Sequence, residues 1–222
     1  MNFGSITTGI IADGLVFNMD AANRASTIPS TSTDKTFNTI DTSISGSFIN
    51  DTFYDSSTIS PSFAFDGVDD KISLSPSFDL DDFNSIGMWV NLDSNYNGVL
   101  IGESSYQYDY LIYMTTSEFW YRIYDSTAEL HAGASYITAN NWHYITTVRN
   151  NTEVSLYVDG IFRDSDTGLS STWNTKFDTI GDKGGTTYPI EGNIANIHAY
   201  NRLLSANEIL HNYNALKTRF GL

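Results

Sequence analysis

The stretch WHYITTVRNNTEVSLYVDG, residues 142–160, decides the fold class of this chain. It contains two runs of alternating side chains separated by a short polar turn, which is the pattern of two antiparallel β-strands. In the first run, every second side chain from Trp142 to Val148 lies on one face. The Asp159-Gly160 pair after the second run is a strong hairpin signal, because both central positions of a type I′ turn need positive φ. We therefore predict strands at 142–149 and 153–158, each with one buried face and one wet face.

The same β-strand pattern extends outward through most of the chain. Aromatic residues make up 14% of the sequence, prolines number only 4, and turn residues separate short apolar runs. The other predicted strands lie at 15–19, 62–65, 71–74, 86–92, 98–102, 110–114, 119–124, 177–181 and 192–200. The sequence thus predicts an all-β protein.

One helix is predicted, at 205–217, near the end of the chain. Ser205 and Glu208 have the spacing of a capping box, which marks a helix N-terminus. The apolar stripe that follows consists of Ile209, Leu210, Tyr213 and Leu216. Because one apolar stripe needs one partner surface, we expect the helix to pack on the edge or rim of a sheet.

The 222 residues are predicted to form a single domain, 1–222, since no internal repeat is visible. Residues 1–13 would form an N-terminal arm. Residues 25–60 are rich in serine and threonine but keep apolar anchors such as Phe37 and Phe48. We therefore predict long loops and short edge strands within the domain for this region, not a flexible linker.

Composition limits the partners of the chain. Its 26 acidic residues against 11 basic ones give a net charge of −15. A field of that sign repels phosphate backbones, which argues against nucleic-acid binding. No window reaches the roughly 18 apolar residues of a membrane span, so no membrane insertion is expected. The first residues carry neither the basic region nor the apolar core of a signal peptide, so we expect synthesis and use in the cytoplasm or within a larger assembly.

Five segments, taken in order, resemble the concanavalin A-like, laminin-G-like jelly-roll domains. They are GLVFNMDAAN (14–23), FDGVDDKISL (65–74), IGMWVNL (86–92), WHYITTVRNNTEVSLYVDGIFRDSDTG (142–168) and IEGNIANIHAYNRLLSANEIL (190–210). The resemblance covers most of residues 14–217 and leaves 25–60 unmatched. It implies a two-sheet antiparallel jelly-roll sandwich with one short C-terminal helix, and a concave face that holds a glycan in many relatives.

The opening GLVFNMDAAN and the ending ALKTRFGL (215–222) also resemble domains of tailed-phage structural proteins, such as fibres and head decorations. This resemblance implies a location in the virion after synthesis in the host cytoplasm. Other virion proteins would be partners, and a homo-oligomer is the expected assembly. An extracellular location is the alternative.

The acidic stretch at 65–74 has two interpretations. Asp66-Gly67 is a hairpin-turn signal followed closely by Asp69 and Asp70, which fits a solvated β-turn at the tip of a hairpin, whose aspartates bond local amides. A calcium site is the other interpretation, because a turn offers carboxylates and carbonyls together. The resemblance implies calcium near this rim, partnered by two acids of the last strand in the pattern G-x-I-D-D-V. Here residues 195–196 are alanine and asparagine, so we assign no metal ligands and expect no cofactor, with calcium as the alternative.

No catalytic group is predicted. A glycosidase needs two carboxylates that face each other across a cleft. The resemblance implies E-x-D-x-E or E-x-D-x-x-E on a concave strand, and none of the glutamates has that spacing. The 4 histidines lack zinc-site spacing, and no nucleophile elbow is present. His143, next to Trp142, is interpreted as structural.

The most suggestive binding signal is SSYQYDYLIYMTTSEFWYRIYDS, residues 104–126, which is rich in tyrosine. In a strand, Tyr106, Tyr108 and Tyr110 project to one side. These rings and Trp120 could stack on sugars, while Asp109 or Gln107 accepts hydrogen bonds from sugar hydroxyls. The alternatives are ordinary strand packing, in which tyrosine buries its ring and wets its hydroxyl, and protein–protein contact.

We therefore expect a non-enzymatic virion structural and adhesion module, either a capsid decoration or a head or tail fibre protein, that touches host-surface glycan. A lectin-like carbohydrate-binding domain is the main alternative. A glycoside hydrolase is the minor one.

Overall fold

The computed structural model describes residues 9–23, 25–26, 34–56, 60–80, 83–93, 97–104, 110–122, 129–133, 135–169, 175–183 and 188–222. The strands in these ranges are β1 (Leu15–Asp20), β2 (Lys35–Phe37), β3 (Ser45–Ile49), β4 (Phe53–Asp55), β5 (Ser62–Asp66), β6 (Lys71–Leu80), β7 (Phe83–Leu92), β8 (Asn97–Gly102), β9 (Tyr110–Thr115), β10 (Glu118–Arg122), β11 (Glu129–Gly133), β12 (Trp142–Asn150), β13 (Glu153–Val158), β14 (Ile161–Thr167), β15 (Thr175–Ile180) and β16 (Glu191–Tyr200). The helix α1 spans Ala206–Leu216, and a 3-10 helix follows at Lys217–Phe220.

The strands form two antiparallel sheets. Sheet 1 has the order β14-β13-β12-β7-β16-β5-β4, and β1 also pairs with β16. Sheet 2 has the order β11-β10-β9-β8-β15-β6-β3-β2. The predicted all-β sandwich of two antiparallel sheets with one short C-terminal helix is therefore confirmed.

The core lies between the two sheets because each contributes apolar side chains to the inner layer. Met88 and Ile145 of sheet 1 and Ile72 of sheet 2 are fully buried there. Three phenylalanines, Phe17, Phe78 and Phe177, pack as a ring cluster with centroids 4.8 to 5.4 Å apart. This alternation of inward and outward side chains fixes which residues each sheet offers to solvent.

The Asp159-Gly160 turn has the predicted conformation, with φ of 55° at Asp159 and 78° at Gly160. It joins β13 to β14, and Val158 pairs with Ile161 across it. The sequence interpretation did not include β14 or β11. β14 carries no apolar alternation because it is an edge strand whose residues are mostly exposed. The serine- and threonine-rich region contains the short strands β2, β3 and β4.

The C-terminal helix lies across the outer face of sheet 1 and not on its edge or rim, which corrects the prediction. We call α1 and the following 3-10 helix, residues 206–220, the C-terminal segment. Trp89 of β7 stacks on Tyr213 and Phe220 of this segment at centroid distances of 5.6 and 4.2 Å. Tyr144 of β12 belongs to the same second apolar cluster. β12 is consequently buried on both faces, so the predicted wet face does not exist there.

The helix begins as predicted but buries a different set of side chains. Ser205 is its N-cap, and both hydrogen bonds of the capping box to Glu208 are present. Leu210, predicted on the apolar stripe, is exposed, whereas Asn212 is buried. Asn212 faces inward because its amide bonds the Tyr200 hydroxyl at 3.0 Å and the backbone N–H of Ile11 at 2.8 Å. No helix in the described part of the chain is long and apolar enough to cross a membrane.

Candidate functional site

The predicted aromatic strip falls only partly on the described residues. Tyr106, Tyr108 and Asp109 lie outside them. Tyr110 begins β9, but the structure does not describe its side chain. Trp120 lies on β10 and is half-buried, so it is the one predicted residue whose surroundings can be given.

Trp120 belongs to a cluster of three aromatic rings on the outer face of sheet 2, which we call the aromatic cluster: Tyr113, Trp120 and Tyr188. Tyr113 and Trp120 point outward because their strand neighbours, such as Ile112 and Phe119, are fully buried in the core. The Tyr113 ring is edge-on to Trp120 at 5.9 Å and to Tyr188 at 5.6 Å between centroids. All three rings are half-buried, so each keeps an exposed part.

Polar groups surround the edges of the aromatic cluster. The Tyr113 hydroxyl donates to the side-chain oxygen of Asn97, and the Trp120 indole N–H donates to Oε2 of Glu118 at 3.1 Å. Asn97 and Glu118 are both exposed. At the other end, Nζ of Lys183 lies 4.7 Å from the centre of the Tyr188 ring. The surface therefore combines flat apolar rings with hydrogen-bond acceptors and the Lys183 cation.

Tyr188 reaches the cluster because the residues before β16 fold back over β8. The Val99 amide donates to the Tyr188 carbonyl at 2.9 Å. Gly98 lies beneath, where a Cβ would come within 2.6 Å of the Pro189 carbonyl oxygen, so only glycine allows this approach. Nearby Asp182 is buried and accepts the Lys183 N–H at 2.7 Å, and burial raises the pKa of its carboxyl group. Sequence reasoning missed Tyr188 because no local pattern links it to residues 113–120.

His143, Asp159 and Thr138 form a three-residue arrangement that resembles a catalytic triad in its contacts. Nδ1 of His143 lies 2.8 Å from Oδ2 of Asp159, and Nε2 lies 3.0 Å from the Thr138 hydroxyl. The Thr138 backbone N–H also donates to Nε2 at 3.0 Å. Because that amide occupies the lone pair of Nε2, the imidazole cannot take a proton from the hydroxyl. The contacts instead join the loop before β12, which contains Thr138, to the β13–β14 turn, which contains Asp159. This agrees with a structural role for His143.

His198 lies at the centre of a buried polar network beneath α1. Its Nε2 is 2.7 Å from the Tyr144 hydroxyl, and its Nδ1 is 2.6 Å from Oδ1 of Asn196. The Asn196 amide donates onward to Oδ1 of Asn18 at 3.0 Å. Burial lowers the pKa of His198 to about 3, so this imidazole stays neutral and its role is structural.

The acidic stretch at 66–70 is a corner between the sheets and not a hairpin tip. β5 pairs with β16 and β4 in sheet 1, whereas β6 pairs with β15 and β3 in sheet 2. The turn chemistry is as predicted, because Gly67 has a φ of 78° and the Val68 N–H donates to Oδ1 of Asp66 at 2.8 Å. Asp70, however, is buried instead of solvated, since the corner encloses it.

The calcium arrangement implied by the sequence resemblance has no counterpart in the last strand. Ala195 is packed in the apolar cluster under the C-terminal segment. Asn196 is bonded to Asn18 and His198. Asp66 faces Glu191 at the beginning of β16, several residues before this pair. The three turn aspartates, Asp66, Asp69 and Asp70, nevertheless bring carboxylate oxygens within 4.8 Å of one another.

Solved structures with similar folds come from several carbohydrate-related proteins. Domain 4 of AbnA, a GH43 extracellular arabinanase from Geobacillus stearothermophilus solved with arabinotriose, is 14% identical with a TM-score of 0.67, and the match covers 90% of this chain and 98% of that one. The botulinum neurotoxin serotype D ligand-binding domain solved with N-acetylneuraminic acid is 12% identical with a TM-score of 0.63, covering 91% and 51%. Trypanosoma rangeli sialidase is 12% identical with a TM-score of 0.63, covering 93% and 33%.

At these identities the similarity shows the fold alone. The chain spans about half of the toxin domain and a third of the sialidase. No curated protein sequence matches the chain. The family model described as the concanavalin A-like lectin/glucanases superfamily matches residues 66–210, which run from the β5–β6 corner into α1. By fold and by sequence, the chain belongs to the concanavalin A-like lectin/glucanase superfamily.

Proposed function

We propose that this chain is a non-enzymatic glycan-binding module and that it binds sugar on the aromatic cluster. The observation that carries the proposal is the set of three half-exposed rings, Tyr113, Trp120 and Tyr188, on the outer face of sheet 2. Sugar rings present flat C–H faces that stack on aromatic side chains, with hydroxyls around their edges. The cluster matches that chemistry, because acceptors on Asn97 and Glu118 lie at the ring edges.

The fold neighbours give independent support for a carbohydrate ligand. Two of the similar structures were solved with arabinotriose and with N-acetylneuraminic acid. Those ligands belong to those proteins, and the present proposal depends on the rings of this chain. Protein–protein contact through the same surface is the competing use, since exposed tyrosine and tryptophan are also common at interfaces.

The absence of enzymatic activity is part of the proposal. Glycoside hydrolysis needs two opposed carboxylates, one of them with a raised pKa. Glu118, the acid bonded within the cluster, is exposed and holds the Trp120 indole. Asp178, on β15, bonds both the amide and the hydroxyl of Ser104. Asp182, the nearby acid whose pKa is raised by burial, is only 1% exposed and accepts the Lys183 N–H, so it is enclosed and does not face a ligand. These acids thus serve local structure, which favours recognition over bond cleavage.

A glycan array followed by titration calorimetry tests the proposal. Wild-type protein is expected to bind a defined set of oligosaccharides, and Trp120→Ala and Tyr188→Ala are each expected to weaken binding by about tenfold or more, as for a stacking anchor. Phe162→Ala is the matched control, because Phe162 is an exposed aromatic residue on sheet 1 and should leave binding unchanged.

Two results would overturn this proposal. The first is an array without saturable binding of any glycan, or binding that survives both Trp120→Ala and Tyr188→Ala. The second is hydrolysis of a bound oligosaccharide at enzyme-like turnover, which would make the chain a glycoside hydrolase.

We further propose that the module serves on a phage particle, as a capsid decoration or a head or tail fibre component, where it assembles as a homo-oligomer with other virion proteins. What supports this is the resemblance of the segments 14–23 and 215–222 to domains of tailed-phage structural proteins. Host-surface glycan would be the target, and an extracellular location is the alternative.

Mass spectrometry of purified particles tests the location, and light scattering tests the oligomer. Absence of the chain from particles would refute the virion role.

A further inference from the structure

We propose that the corner between β5 and β6 is a Ca²⁺-binding site formed by the carboxylates of Asp66, Asp69 and Asp70. One carboxylate oxygen from each residue lies within 4.8 Å of one from each of the others. These residues follow one another closely in sequence, and the turn at Gly67 brings their side chains together. The site is separate from the aromatic cluster and does not depend on the proposed glycan-binding function.

The state of Asp70 indicates that a cation belongs there. The residue is only 1% exposed, and its Oδ2 accepts the Asp66 N–H at 3.0 Å. Its other oxygen, Oδ1, is buried and makes no hydrogen bond of normal geometry, although the Asp51 backbone amide approaches the carboxylate. A buried carboxylate is costly unless it is fully bonded or paired with positive charge. Burial and the neighbouring charges of Asp66 and Asp51 raise the pKa of Asp70, although the backbone amide of Asp51 partly favours its charged form.

The surroundings of the corner add negative charge and supply no cation. Glu191 faces Asp66 across the β5–β16 pairing, and Asp51 lies close enough to affect Asp70. None of the ion pairs between described residues involves Asp66, Asp69 or Asp70. Lys71, the next residue, directs its Nζ towards Asp182 at 3.9 Å instead. An external cation would therefore offset repulsion that the chain itself leaves uncompensated.

The kind of ligands favours Ca²⁺ over Mg²⁺. The three oxygens lie within 4.8 Å of one another, so one ion can contact all of them. Ca²⁺ binds oxygen at about 2.3–2.6 Å in a flexible geometry and accepts several carboxylates from one turn. Mg²⁺ needs a near-ideal octahedron at about 2.0–2.1 Å and usually keeps several of its waters, which suits a three-carboxylate turn less well. Water would complete the coordination on the exposed side, where Asp66 lies.

This ligand set differs from the arrangement implied by the sequence resemblance. That arrangement needs two acids in the last strand, at positions where this chain has Ala195 and Asn196. Here all three carboxylates come from one corner. The expected consequence of binding is a corner held rigidly between sheet 1 and sheet 2.

Thermal unfolding of the full chain, first treated with chelator, tests the site with CaCl₂ and MgCl₂ as probes. Ca²⁺ is expected to raise the Tm in a saturable way, by roughly 5–10 °C at a concentration a hundredfold above Kd. Mg²⁺ at the same concentration should raise it much less. Calorimetric titration at 25 °C should give one bound Ca²⁺ per chain.

Three variants separate the site from a general charge effect. Asp70→Asn should abolish the Ca²⁺-dependent shift in Tm. Asp69→Asn, at a half-exposed position that the fold tolerates more easily, should weaken Ca²⁺ binding at least tenfold. Asp166→Asn removes the same charge from an exposed position on β14 and should keep the full wild-type shift. A wild-type chain with no Ca²⁺-dependent shift, or an undiminished shift in Asp69→Asn, would overturn the proposal.

Discussion

Arg219 and Asp20 form a two-pronged ion pair between residues 199 positions apart in the chain. Nη1 of Arg219 lies 2.9 Å from Oδ2 of Asp20, and Nη2 lies 2.9 Å from Oδ1. The two side chains are only 23% and 16% exposed. This contact holds the last turn of the C-terminal segment against β1, and so keeps the outer face of sheet 1 covered.

Arg219→Met should lower the free energy of unfolding by about 2 kcal/mol, because it removes the two charge-assisted hydrogen bonds to Asp20 and the longer one to Ser60 but keeps the length of the side chain. Denaturant unfolding checks this value. The control is Asp79→Asn, which breaks an exposed pair with Lys176 at 4.0 Å and should cost less than about 0.5 kcal/mol. Equal losses in the free energy of unfolding would mean that the Arg219–Asp20 pair contributes no more to stability than an exposed ion pair.

Gly160→Ala should destabilise the chain by about 2 kcal/mol or more. The residue has a φ of 78°, and a Cβ would lie 2.9 Å from Cδ1 and 3.2 Å from Cα of Leu210 on α1. The substitution therefore adds backbone strain and a collision with the helix. Gly221→Ala is the comparison, because Gly221 has a φ of 77° with open space around its Cβ position. If the two variants lose the same stability, the β13–β14 turn does not support the helix.

Stability should fall as the pH drops from 6.5 towards 3, with His198 as one cause. Its pKa is lowered to about 3 by burial in the folded chain, against 6.5 when unfolded. Below pH 6.5 the unfolded state therefore binds a proton at His198 that the folded state does not bind until the pH nears 3. The stability contributed by neutral His198 is complete above pH 6.5 and is lost as the pH falls, by up to about 1.4 kcal/mol per unit.

Urea unfolding of wild type and His198→Gln at pH 7, 5.5 and 4.5 measures this contribution. The variant should be less stable at pH 7, since it disturbs the bonds to Tyr144 and Asn196, but its stability should decline less steeply. His211→Gln is the control, because this side chain lies near the surface with one bond to the Gly9 carbonyl. If the stability of wild type and of His198→Gln falls equally with pH, His198 is not a cause of the pH dependence.

Tyr113→Phe should weaken glycan binding by about threefold to tenfold, the effect of one hydrogen bond, and leave the Tm nearly unchanged. The ring stays in place between Trp120 and Tyr188, but the hydroxyl that bonds Asn97 is lost. Calorimetric titration with the best array ligand gives the affinity. Tyr157→Phe on sheet 1 should have no effect on binding. Unchanged affinity in Tyr113→Phe would place the sugar elsewhere on the rings.

Much of the fold could be predicted because its signals are local. The alternation in 153–158, the Asp159-Gly160 turn and the capping box at Ser205 each depend on neighbouring residues, and all three are present as expected. The turn at Asp66-Gly67 was also predicted, but its interpretation as a hairpin was wrong. Turn chemistry fixes a change of direction without specifying which strands pair on either side.

Some residues of the candidate site could likewise be predicted from local sequence, whereas others are brought there only by the fold. Trp120 was predicted because it lies in a stretch unusually rich in aromatic residues. Tyr188 could not be predicted, since it joins Tyr113 only through the fold-back over Gly98. The buried Oδ1 of Asp70 was equally hidden, because the sequence shows three aspartates but not which of them the corner encloses.

The sequence by itself determined that this chain forms antiparallel strands with one capped helix, since side-chain alternation, turn φ angles and capping act over a few residues. Only the tertiary structure decided that the helix covers the outer face of sheet 1, that Asn212 turns inward, and that three rings meet on sheet 2. Those outcomes depend on contacts between residues far apart in the chain, and their free energies exist only once the two sheets have packed.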